Sequence, residues 1–194
     1  MIQRGRCRYC REKIPLRYPA VELLTALLFS ALYIKFSLSL ELLFYIIFSS
    51  ILIVVSFTDL EHEVVPDPLS ILGAIPGIAL WGLKGDPLFS MLGACIGLSF
   101  MYILSRLASA IFKKEAFGEG DVKLAMTLGA YLGIQGLFLS LFFAVLLGAA
   151  FGLILLALRL KHFGDHIPFA PAMATGAVIA LFFGQAVLNW YFGM

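Results

Sequence analysis

Two acids in this chain stand at the edges of long hydrocarbon runs. Asp121 lies in Phe117-Gly118-Glu119-Gly120-Asp121-Val122-Lys123-Leu124, a glycine-flanked carboxylate where one apolar stretch has ended and another begins. Asp59 occupies a similar edge after the run from Leu42 to Phe57. In a chain that is 61% hydrophobic and 13% charged, an acid beside hydrocarbon is costly and calls for a reason. Two of them suggest one site made of paired carboxylates. Such a pair hydrolyses a peptide bond through a water held between them. The ionised member takes the water's proton, and the protonated member donates to the carbonyl or the leaving amine. Like charges held close in a partly dry site titrate apart, which supplies both forms at one pH. Asp121 opens a helix whose N-terminal dipole favours negative charge, so the expected base is Asp121 and the expected acid Asp59. Gly118 and Gly120 remove side-chain bulk, leaving an extended substrate free to lie against the turn. Lys123 snorkels or offsets the local negative charge.

The elements that must position these acids are membrane helices. A mean hydropathy of +0.98 and 18 phenylalanines among 194 residues fit lipid-spanning helices better than a soluble core. The expected fold class is all-α and polytopic, with about seven transmembrane helices in a domain at 19–194 behind a basic segment at 1–18. Arg4, Arg6, Arg8, Arg11, Lys13 and Arg17 mark that segment as a cytoplasmic flank by the positive-inside rule. Spans are expected at 21–35, 40–58, a glycine-broken 69–83, 88–112 and a short 122–132. Gly133 to Gly136 turn the chain into 137–158, and a last span follows Pro171 to about Trp190 and Tyr191. Asp67 before Pro68 and Asp86 before Pro87 read as helix N-caps. Gly93 and Gly97 allow close helix contact, and Cys95 reads as buried packing. Seven crossings bring Asp59 and Asp121 to the cytoplasmic face and leave the C-terminus outside. A net charge of +2 gives no nucleic-acid footprint; the expected surroundings are lipid.

Metal readings are weaker. Asp59, His62 and Glu63 lie three and four apart but match no strong zinc pattern, and Glu61, His62 and Glu63 read as solvated loop groups. Cys7-x2-Cys10 is half of a tetrahedral zinc site, with free thiols as the alternative. Without a further signal, the same acids would suit a cation transporter or channel, or a non-catalytic assembly partner.

The motifs together resemble a family. Gly118-x-Gly120-Asp121-x-Lys123-Leu124, followed by Leu128-Gly129-Ala130 and Leu132-Gly133, resembles the GxGD signature of the type IV prepilin peptidases. Asp59-x6-Pro66-Asp67 resembles their other acidic motif. The head from Gly5 through Cys7, Cys10 and Pro19 to Leu23 resembles the end of their cytoplasmic loop, and Pro168-Phe169-x-Pro171 their final-span entrance. GxGD alone is shared with presenilin-like intramembrane proteases, which cleave transmembrane stubs. The resemblance implies a GxGD-type membrane aspartic protease of the bacterial inner membrane, serving type IV pili or type II secretion. Asp59 and Asp121 would be catalytic, with Gly118, Gly120, Lys123 and Asp67 in support, and no metal would be needed for cleavage. The substrate would be a prepilin or pseudopilin with a short basic leader, cut after a glycine at the cytoplasmic face. Longer members carry a further span and a preceding CxxC. A chain starting late in that loop keeps the peptidase motifs whole but gives less ground for expecting zinc binding or N-methyl transfer.

Overall fold

Proline, glycine and serine punctuate the chain into helices at the expected places. The computed structural model describes residues 15–113, 117–160 and 168–193, with Gly5, Cys10, Glu12 and Lys13 before them. The helices are α1 (Arg17–Phe36), α2 (Leu40–His62), α3 (Asp67–Leu83), α4 (Pro87–Phe112), α5 (Glu119–Ala157) and α6 (Ala170–Phe192). Five of them are long and apolar enough to cross a membrane, and α3 is shorter. At 17 residues α3 is about 26 Å long. Large apolar side chains such as Ile103, Leu107, Leu153 and Phe183 point outward, which suits lipid as the solvent.

The chain divides into two units, residues 1–46 and 47–194. In the first, α1 ends at Ser37 in a left-handed turn, and the Phe36 ring stacks on Tyr45 with centroids 4.4 Å apart. The second unit holds both acids.

Within it, α5 is a hairpin rather than one rod. Gly133 adopts φ 66° and ψ −174°, outside helical geometry. Ala125 and Leu137 would stand about 18 Å apart in a straight helix, yet both touch the position where a Gly97 β-carbon would lie. Phe100 of α4 likewise meets Phe138 edge-on at 5.2 Å. The chain therefore doubles back at Gly133, as expected of the 133–136 turn. With its arms 119–132 and 134–157 counted separately, the helical segments among the described residues number seven.

Ending the first arm at Gly133 leaves its last carbonyls without helical partners. Side chains from neighbouring helices supply them. Ser90 Oγ donates to the Ala130 carbonyl at 2.7 Å and Trp81 Nε1 to that of Tyr131 at 3.0 Å. Close backbone approach at Gly93 and Gly129 joins α4 to the same arm.

Several expectations need correction. The third span is not broken by its glycines: α3 is continuous through Pro76, and Gly73 and Gly77 are contact points against Thr127 and Tyr131. Cys95 is exposed, because the buried face of α4 runs through Gly93, Ala94, Gly97 and Met101 and leaves residue 95 on the other side. Residues 59–62 form the last turn of α2 rather than a loop. Asp67 does not cap α3: Pro66 holds that position, and no side-chain cap bond is made. Asp86 does cap α4, accepting the Phe89 N–H at 3.1 Å.

Candidate active site

Helix periodicity delivers both acids to the interior. Phe48, Leu52, Val55 and Asp59 follow one another at spacings of four, three and four along the buried face of α2. Asp121 begins the corresponding face of α5, ahead of Ala125 and Leu128. The Phe48 ring stacks on Tyr131 at 4.3 Å and fixes these two helices face to face. Asp59 is 4% exposed and Asp121 6%, and they are the only buried acids among the described residues.

Both line one pocket of about 230 Å³ at the helix ends. One wall comes from the α2–α3 linker, with Glu63, Val64, Val65 and Asp67. The other comes from the start of α5, with Gly118, Glu119 and Gly120. The two carboxylates are near enough to interact electrostatically. Asp59 is additionally tied to α6: its Oδ2 accepts the N–H of Ala170, the first residue of that helix, at 3.1 Å. Asp121 sits in the first turn of α5, where its own N–H reaches the Gly118 carbonyl at 3.1 Å and the Gly118 backbone hydrogen-bonds its carboxylate. Ser105 Oγ donates to the Phe117 carbonyl at 3.3 Å and anchors the preceding turn to α4.

The glycines act differently from the open platform expected of them. A β-carbon on Gly120 would overlap Val65, so the space there is filled by the chain's own linker rather than left for substrate. Gly118 has ordinary extended geometry (φ −66°, ψ 151°), and a β-carbon there would meet Asp121 Oδ2 at a comfortable 3.8 Å. Lys123 Nζ donates to Asp67 Oδ2 at 2.6 Å and lies 3.9 Å from Glu119. Sequence reasoning thus named Asp67 and Lys123 without pairing them. It missed Val65 and the Ala170 N–H altogether, although the prolines at 168 and 171 marked the start of α6.

A pocket of this kind can hold a water between two carboxylates and admit a peptide backbone from the helix ends. Among the described residues no three His, Cys, Asp or Glu side chains gather as a ligand set. His62 faces Glu61 at 3.8 Å on the exposed side of α2. Cys7 lies outside the described residues, and Cys10 is exposed.

The profile described as the type IV leader peptidase family matches residues 46–153, which include both buried acids. The chain belongs to that family. A second profile, the bacterial peptidase A24 N-terminal domain, matches residues 1–36. Among curated leader-peptidase relatives, a prepilin leader peptidase/N-methyltransferase of Bacillus subtilis is 34% identical over 198 residues, covering 100% of this chain and 77% of its own length. One from Aeromonas salmonicida is 37% identical, covering 97% of this chain and 65% of its own. One from Pseudomonas aeruginosa is 35% identical, with 96% and 65% covered. The chain thus spans about two thirds of the length of the latter two relatives. No solved structure matches it.

Proposed function

We propose that this chain is a membrane aspartic endopeptidase that removes the short leader from type IV prepilins or pseudopilins. The observation that carries this reading is the convergence of Asp59 and Asp121, each buried, on one pocket at the helix ends. In the proposed reaction Asp59 takes a proton from the water as its oxygen attacks the scissile carbonyl. Asp121 donates to the carbonyl oxygen and, as the carbon–nitrogen bond breaks, a proton passes to the departing amine. These roles reverse the assignment read from the sequence. The reason is the Ala170 N–H at the positive end of α6, which already holds one oxygen of Asp59 as an acceptor. Gly118, Gly120, Lys123 and Asp67 support the pair by shaping the pocket, and cleavage requires no metal.

The basic N-terminal segment supports an inner-membrane orientation with the N-terminus and both acids cytoplasmic and the C-terminus outside. A substrate helix would then lie in the bilayer while its leader reaches the pocket. The proposal concerns the peptidase half of the relatives' double name; methyl transfer is not part of it.

The test is incubation of the purified protein, in lipid, with a prepilin beside the Asp59→Asn and Asp121→Asn variants. The parent should release the leader, each variant should lose at least about 100-fold in rate, and a chelator should change little. Cleavage surviving either substitution would remove that acid from the mechanism. Cleavage indifferent to a bulky residue in place of the glycine before the cut would point away from leader recognition.

A further inference from the structure

The two walls of the acid pocket belong to segments far apart in sequence, and two contacts fasten them. Val65 of the α2–α3 linker seats against Gly120, with no room for a β-carbon between. Beside it, Lys123 Nζ reaches Asp67 Oδ2 across 56 residues of sequence at 2.6 Å. Between Asp59 and Asp67 the chain leaves α2 through a left-handed Glu63 (φ 53°) and an extended Pro66 before α3 begins. Residues 64 and 65 lie outside both helices, and Pro66 is joined to α3 only through its carbonyl, which accepts the N–H groups of Leu69 and Ser70, so the position of this wall depends on what it is pinned to.

We infer that Lys123 and Asp67 form a clasp that positions the linker wall, and through it the mouth of the pocket, against the helix start bearing Asp121. Lys123 is suited to this because it lies two residues beyond Asp121 on the same first turns of α5. The clasp and the carboxylate therefore move as one body. Glu119, one turn earlier and 3.9 Å from the ammonium, helps aim the lysine along this edge. The pair is partly open to water, with the lysine side chain 23% exposed and the aspartate 55%. Partly exposed ion pairs add little to global stability. A pair at this place is therefore better explained by where it holds the linker than by what it adds to the fold. Asp67 and Lys123 are positioning residues: the displacement they prevent is of the linker, and a displacement of about 1 Å near reacting groups can cost about 100-fold in rate.

This inference rests on the peptidase reading, and its experiment separates the two. Asp67→Asn and Lys123→Met are compared with the parent for prepilin cleavage and for thermal unfolding in lipid. The expected result is a fall in kcat of about 10-fold or more in each variant, with KM and the unfolding midpoint unchanged. In a second arm, cysteines at 67 and 123, in a chain whose native cysteines are alanine, are joined by a short bis-thiol reagent. The untethered double variant should be slow, and the tether should restore the rate without restoring any charge. Parental kcat in either single variant would overturn the clasp, as would a tethered chain that cuts no faster than the untethered one. If the parent itself leaves prepilin uncut, the peptidase reading fails instead.

Discussion

At position 120 the absence of a β-carbon sets how closely two chain segments meet. The GxGD pattern makes its two glycines look alike, yet they stand in different surroundings. Gly120 backs onto Val65, whereas Gly118 has extended backbone geometry and ordinary contact distances around it. Gly120→Ala must push the linker off α5, and we expect it to lower cleavage by about 10- to 100-fold. Trimming the partner, as Gly120→Ala with Val65→Gly, should recover much of that loss. Gly118→Ala should leave the thermal midpoint unchanged. Parallel rate and unfolding measurements on the three variants decide the matter; a harmful Gly118→Ala beside a harmless Gly120→Ala would invert the assignment. The acids themselves were legible in the sequence, because a carboxylate at the edge of hydrocarbon is conspicuous and the spacing from Phe48 to Asp59 follows one helix face. Their partners were not. The Ala170 N–H lies 111 residues from Asp59, and the Lys123 partner of Asp67 lies 56 residues away. Local pattern therefore read Asp67 as a cap for the proline beside it.

Among the elements, the α5 hairpin shows what sequence length alone can settle. An apolar stretch from Leu124 to Leu158 has no charge to interrupt it, but a straight 39-residue helix would run to about 58 Å, far beyond the hydrocarbon thickness. Gly133 and Gly136 were the available places to turn, and the chain turns there. Which residues face outward was harder to read, since lipid and protein interior are both apolar. Cys95 was misplaced for that reason: nothing in its own chemistry distinguishes a lipid-facing position from a packed one. Gly133 carries φ 66° with the Phe89 ring against its α-carbon. Alanine there meets both a left-handed backbone and an occupied site, and we expect Gly133→Ala to destabilise by about 2–4 kcal/mol. Gly82, in the last turn of α3, has open space around it, so Gly82→Ala should be neutral or add up to about 1 kcal/mol. Thermal or denaturant unfolding in detergent reads both. Equal tolerance at the two positions would mean that the turn at Gly133 is not required by the fold.

For the whole molecule, the hairpin decides which ends of the helices share a membrane face. If α5 were a single crossing, residue 159 would emerge on the face opposite Asp121, and α6 would begin on the wrong side to hold Asp59. With two crossings, the end of α2, the start of α5, the end of its second arm and the start of α6 all lie together. The Ala170 bond to Asp59 and the edge contact of Phe117 with Phe169 at 5.3 Å follow from that arrangement. The turns at Lys84 and Gln135 then lie at the other end of the helices. Single cysteines at Val64, Lys84, Gln135 and Arg159, each exposed, give a direct test in a chain whose native cysteines are alanine. With a membrane-impermeant thiol reagent on sealed vesicles of known orientation, Val64→Cys and Arg159→Cys should label from the same side. Lys84→Cys and Gln135→Cys should label from the opposite side. In the proposed orientation the side labelled by the first pair is the cytoplasmic one. Labelling of Arg159→Cys together with Lys84→Cys would remove the hairpin and separate Asp59 from α6, and the shared pocket could not survive it.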